Sequence, residues 1–349
     1  MQLKLTDNKL PFGAILLIAP FFFWGTAMVA MKGVIPNTTP LFMAGVRVVP
    51  AGILLLLVAA LQGRKQPDSW KGWLWISIFA LADGALFQGF LAEGLVRTGA
   101  GLGSVMIDSQ PLAVAILCLW LFEERIGIWG WSGLAMGLFG ISLIGLPNEW
   151  IVGLFSPETA AASTGVGQLL QGGEWLMLLA SLSMAVGTVL VRWVCKYADP
   201  VVATGWHLII GGLPLFALSA GFESEQWINI DTSGWVAMAY SAVFGSAIAY
   251  GLFFYFASRG NLTSLSALTF LTPIFALLFG NLFLGEVLSH LQSFGVGLTL
   301  VSIYLINQRD VLADKFSFNR EKEEEKLLGK SENKAVELPV KARVKELEG

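Results

Sequence analysis

Apolar residues along this chain run in long blocks separated by short polar punctuation, without the strict alternation of a half-buried strand or the narrow stripe of a surface helix. A hydrocarbon core needs about twenty residues of helix to cross. Ten blocks reach that length: 13–33, 41–61, 73–95, 101–121, 127–146, 174–194, 201–220, 235–258, 262–284 and 288–307. Trp70, Trp73, Trp129, Trp131, Trp175, Trp193, Trp227 and Trp235 stand near block ends, where indole rings prefer the headgroup level. The pattern predicts an all-α polytopic membrane protein with ten transmembrane helices. Lys4 and Lys9 precede the first block, but the block continues past twenty residues with no small-residue cleavage site, so it reads as a retained helix and not a signal peptide.

The blocks repeat. Pro111 opens a stretch that closes on Glu124, and Pro273 opens one that closes on Glu286; in each, thirteen positions separate proline from glutamate and the residues between are apolar. Gly25 and Thr26 match Gly187 and Thr188, Gly45 matches Gly205, Gly52 matches Gly212 and Arg97 matches Arg259, at offsets of 160 to 162. A period that long is a duplicated half and not a solenoid repeat. Five spans per half is an odd number, so the halves enter the membrane from opposite sides. Their matching loops differ in charge accordingly, with Arg64, Lys65 and Lys71 against Glu223, Glu225 and Asp231. Two inverted five-helix repeats are a plan of secondary transporters. The divisions are a cytoplasmic N-terminus 1–12, a first repeat 13–146, an outer linking loop 147–173, a second repeat 174–307 and a charged, disordered tail 308–349.

Composition agrees with the medium: 55% of the 349 residues are hydrophobic and 13% charged, against about a quarter charged in soluble domains. The net charge of −3 says little, because the residues from Gln308 onward hold ten of the 22 basic and ten of the 25 acidic side chains. Nine basic residues fall on the face shared with the N-terminus (Lys4, Lys9, Arg64, Lys65, Lys71, Arg125, Arg192, Lys196, Arg259) and two opposite (Lys32, Arg97), which makes both termini cytoplasmic. No basic surface points to nucleic acid. Cys118 and Cys195 sit in or beside apolar runs, where a thiol behaves as a small hydrophobe, so neither a disulfide nor a redox role is expected.

The FFFWGTAMVAMKG opening, the TPLFMAGVRVVPAG second span and the duplicated proline-to-glutamate stretch together resemble EamA-type (RhaT-like) members of the drug/metabolite transporter superfamily, over residues 13 to 307. The resemblance points toward cyanobacterial and plastid members. It implies a ten-helix carrier that moves a metabolite or amphipathic, drug-like solute, commonly outward and without ATP hydrolysis, through a central cavity between the halves. The membrane is the plasma membrane or an organellar inner membrane.

Candidate chemistry comes from what is costly at bilayer depth. Prolines inside spans free a backbone carbonyl that must face protein or a watery cavity. Pro111 and Pro273 do so at corresponding positions of the two halves, beside Asp108 and Thr272. Pro20, Pro50 and Pro214 also lie inside spans. Ionisable residues within spans are Arg47, Asp83, Glu93, Asp108 and His207, each costing about 2.5 to 3.5 kcal/mol on insertion scales. For Arg47 and Asp108 a structural ion pair and a charged-solute site stand as equal readings. Asp83, without a neighbouring cation in sequence and opposite Gly245 in the second repeat, is the leading candidate for a protonatable carboxylate, with proton coupling as its consequence. His207, the counterpart of Arg47, reads as hydrogen-bonded packing ahead of a proton relay. Trp24, Thr26, Gln88, Thr188, Trp206, Tyr250 and Tyr255 could wall a mostly apolar cavity. Gly133 and Gly137 form a small-residue motif for close helix approach, first within the chain and second in a homodimer. Glu124 and Glu286 fall on opposite faces near helix C-termini, where the dipole disfavours an anion and something should compensate them, and they read as structural anchors or gate latches ahead of substrate ligands.

Enzyme signatures are weak. Gly329-Lys330-Ser331 ends like a Walker A loop, but Glu324 replaces its first glycine. Two histidines and no H-E-x-x-H leave no metal site, and no cofactor is expected. Asn37-Thr38-Thr39 and Asn261-Leu262-Thr263 match glycosylation sequons that need no sugar to explain them. The rival from another class is a membrane-embedded enzyme or lipid-handling protein using Asp83, Asp108 and His207.

Overall fold

The computed structural model describes residues 10–97, 106–145, 173–284 and 289–314. Glu286, most of the linking loop, the N-terminal lysines and the tail past Asp314 lie outside the described residues. Every regular element described is helical. In chain order they are α1 (Leu10–Lys32), α2 (Pro40–Leu61), α3 (Trp70–Arg97), α4 (Gln110–Phe122), α5 (Gly127–Gly145), α6 (Glu174–Val194), α7 (Pro200–Phe222), α8 (Thr232–Ala257), α9 and α10 (His290–Asn307). Helix α9 starts as Leu262–Ala267, tightens through a 3₁₀ turn at Leu268–Phe270 and resumes as Leu271–Leu284. Eight of these are long and apolar enough to cross a membrane; α4 is shorter and α10 is not among the eight. The sequence pattern expected ten.

Two helices carry the same irregularity at the same place. Residues Ala80–Phe87 of α3 and Ser241–Ile248 of α8 are π-helical, eight residues each. The wider i→i+5 turn is rare and concentrates at functional sites. Each of these helices also starts alike: Ser69 accepts the Gly72 N–H ahead of α3, and Asp231 accepts the Gly234 N–H ahead of α8.

Packing is paired in the same way. Helix α1 lies on α9 and α6 on α4; α7 packs on the π segment of α3 and α2 on that of α8; α2 packs on α7 and α5 on α10. Exchanging each helix for the one five places later leaves these pairings unchanged. The antiparallel α2 and α7 touch backbone to backbone, since a Cβ on Gly52 would stand 2.5 Å from the Gly205 carbonyl oxygen. Their ends are clasped. Glu223, after α7, accepts the Leu41 and Phe42 N–H groups and the Thr39 hydroxyl at the start of α2 (2.9, 3.1 and 2.7 Å). Asp199 caps the start of α7 and takes both of its oxygens to Arg64 beyond α2 (3.0 and 2.9 Å).

The core gathers where these helices meet, around Phe21, Val48, Phe79, Leu208, Phe253 and Phe254. Outside it, Leu57, Leu61, Leu81, Phe222 and Leu282 are exposed, an apolar exterior suited to lipid. Gly133 and Gly137 are spent within the chain: they face α10, where the Ser302 hydroxyl donates to the Gly133 carbonyl (2.6 Å), and a Cβ on Gly137 would strike Phe270.

Candidate functional site

A wholly buried polar contact joins the two repeats. Gly84 of α3 and Gly211 of α7 meet so closely that a Cβ on Gly84 would lie 2.6 Å from the His207 carbonyl oxygen. That approach brings Asp83, beside the first glycine, to His207, one turn before the second: Nε2 and Oδ2 are 3.1 Å apart, and both side chains are wholly buried. Phe79 stacks on the imidazole at 4.0 Å, and Phe254 meets its edge. Gly187 of α6 closes the remaining side, since a Cβ there would sit 2.6 Å from that of Asp83. Asp83 has no neighbouring cation in sequence, but its partner lies 124 residues away and reaches it through the glycine contact. Asp83 Oδ1 and His207 Nδ1 have no hydrogen-bond partner among the described residues.

The π segment extends the site along α3. Gln88 follows Asp83 by five positions, which the π register sets one turn apart on the same side. Its Nε2 donates to the Tyr250 hydroxyl of α8 at 2.7 Å. The Tyr250 ring stands 6.4 Å from that of His207 and 5.3 Å from that of Trp24, which also leans on Phe253. Arg47 of α2 lies within electrostatic reach of Tyr250 and makes no hydrogen bond or ion pair among the described residues. Thr188 adjoins Gly187 and accepts from Gln110 Nε2 (3.2 Å) at the start of α4.

The other candidates fall elsewhere. Asp108 is buried without an ion-pair partner among the described residues, next to Ser109, whose hydroxyl meets that of Ser181 at 3.1 Å. Pro111 is in the first turn of α4, not inside a helix, so the irregularity is the turn at Asp108 and Ser109 ahead of it. Pro273 follows the 3₁₀ turn of α9, and the Thr272 hydroxyl beside it has no hydrogen-bond partner among the described residues. Thr26 bonds the Tyr240 hydroxyl at 2.8 Å. Trp206 donates to Gln66, and Tyr255 lies under Arg259, so neither joins the central group. Glu93 pairs with Arg97 on the surface at 2.7 Å.

Glu124 has the compensation its position demands. Arg309 Nη2 and Asn261 Nδ2 both donate to its Oε1 at 2.7 Å, tying the end of α4 to the cap of α9 and the chain beyond α10. Arg309 is 5% exposed, and residues 309–314 are helical, so the tail does not begin at Gln308 as a solvated segment. Sequence reading passed over Arg309, whose signal was its place directly after the last apolar block, and Phe79, which is one more phenylalanine among 24. Burial pushes the Cys195 thiol up to about 12, which leaves it protonated at neutral pH. Among the described residues no group of three or more His, Cys, Asp or Glu side chains could hold a metal.

The model of the EamA-like transporter family matches twice, on residues 11–146 and 171–308. The chain belongs to the EamA-like transporter family. An uncharacterized transporter of Synechocystis sp., sll0355, is 63% identical over 312 residues, covering 89% of this chain and 94% of that protein. A chloroplastic WAT1-related protein of Arabidopsis thaliana is 52% identical over 297 residues, covering 83% of this chain and 68% of that protein. A crystal structure aligns with a TM-score of 0.68 over 86% of this chain and 97% of its own, at 16% identity, a likeness of fold alone. As an EamA-like protein with eight apolar helices of spanning length among its described residues, the chain is a multi-pass integral membrane protein and a transporter of small solutes. The family and its named relatives indicate transport and not enzymatic turnover.

Proposed function

We propose that the chain is a secondary transporter that exports small metabolites or amphipathic compounds by alternating access at a central site between two inverted five-helix halves. All ten helices cross, with α4 and α10 completing the set, and both termini are cytoplasmic. The exchange of packing partners five places apart supports an axis relating the halves. With an odd number of crossings in each, that axis lies in the membrane plane. One observation carries the functional reading: the buried Asp83–His207 pair takes one side chain from each half and borders Tyr250, which Gln88 and Trp24 in turn contact. A polar group at such a seam is where rocking of one half on the other would be felt from both sides. Proton coupling is the role of the pair, because a proton gained or lost there alters a contact between the halves. The test is purified protein in liposomes. The proposal expects passage of an unmodified solute from a panel of amino acids, organic acids, sugars and cationic drugs; release of a chemically changed product would favour the membrane-enzyme alternative.

A further inference from the structure

Around Tyr250 the protein presents hydrogen-bond donors without acceptors. Trp24 Nε1 on α1 and Arg47 Nε on α2 are sealed from water and have no hydrogen-bond partner among the described residues. Tyr250 on α8 accepts from Gln88, which leaves its own hydroxyl proton to donate, and no acceptor for it exists among the described residues. The acid in electrostatic reach of Tyr250 is Asp83, already bonded to His207. Arg47 therefore has no counter-ion from the described protein. Arg47 is half-buried with its Nε sealed from water; a guanidinium so placed with no counter-ion is costly, and an oxyanion that several donors can share would offset the cost. The surroundings limit what carries that oxyanion: Phe21 and Phe253 flank Trp24 and leave an apolar, aromatic wall.

We propose that the transported solute is an organic oxyanion with an apolar body, its carboxylate or phosphoryl head held by Arg47, Trp24 Nε1–H and the Tyr250 hydroxyl. This rests on the reading of the central site as the solute site, and binding and flux are measured separately so that the two stand or fall apart. The probes share one body and differ in the head: 3-phenylpropionate, 2-phenylethylphosphonate, 3-phenylpropan-1-ol and 3-phenylpropylamine. Calorimetric titration of the full-length protein should show binding of the two anions and not of the alcohol or amine, and the tighter anion identifies the head group. Arg47→Gln should weaken anion binding by about tenfold or more, the scale of one charged hydrogen bond. Trp24→Phe should weaken it while keeping the wall. If Arg47→Gln fails to fold, Arg47→Lys and Trp24→Phe carry the comparison. Equal or tighter binding of the alcohol or amine, binding of no anion, or unchanged anion affinity in the folded variants would overturn the proposal. Anion binding without flux in liposomes would uphold the oxyanion site and count against transport; flux of the amine or alcohol alone would uphold transport and overturn the oxyanion site.

Discussion

At the scale of residues, the molecule places few charges in its interior and spends each one differently. Asp83 and His207 use each other, Glu124 uses Arg309 and Asn261, and Arg47 and Asp108 use nothing in the described chain. Asp83→Asn keeps the size of the side chain and removes its proton. On the proposed coupling, proteoliposome transport should survive with its pH dependence flattened, and an unaltered pH profile would remove Asp83 from that role. Glu124 serves a different end. Glu124→Ala strands a nearly buried guanidinium, a change that costs about 3 to 5 kcal/mol when the partner stays behind. Thermal unfolding of Glu124→Ala, Arg309→Ala and the double variant should show that the second loss adds little to the first; additive losses would mean the two side chains do not interact. The cost of ionisable groups in lipid made Asp83, His207, Arg47 and Asp108 stand out in the sequence. Their partnerships did not, because the bond from Asp83 to His207 depends on two glycines letting α3 and α7 touch.

At the scale of elements, the π segments decide which side chains face the site. Asp83 and Gln88 are five positions apart and both reach across to neighbouring helices. A regular α-helix would turn one of them away, since it sets residues three and four apart on one face. Deleting Ala85 should leave Asp83 and Gln88 four positions apart on one face of a regular helix, so that the folded variant keeps transport. Loss of transport in a variant that still elutes as a folded species would show that the wide turn itself is needed. Helix positions were readable from hydropathy to within a few residues: the third block, expected at 73–95, is Trp70–Arg97, and the seventh, expected at 201–220, is Pro200–Phe222. The π turns were not readable, because their signature is a hydrogen-bond register and the apolar run through them is unbroken. The proline break was half readable. Proline marked the place in both halves, but at Pro111 the chain turns just ahead of it and the ring then serves as an ordinary first-turn residue.

At the scale of the whole molecule, duplication shapes both the fold and the site. The family model falls on the chain twice, and the helices pair as if exchanged five places along. The central chemistry breaks that equivalence. Asp83 is matched by Gly245, which packs on Ala27, and Arg47 by His207, so one repeat supplies the acid and the guanidinium and the other the imidazole. Such asymmetry lets a site face two compartments and bind one solute in one orientation. The central claim is that this seam opens to each side in turn. Its most direct test is a cysteine in place of Gln88, in a chain whose Cys118 and Cys195 are replaced by alanine, exposed to a membrane-impermeant thiol reagent from one side of sealed, oriented vesicles at a time. Alternating access predicts labelling from either side, slowed from both by a transported solute. Labelling from one side only, or from neither, would contradict it.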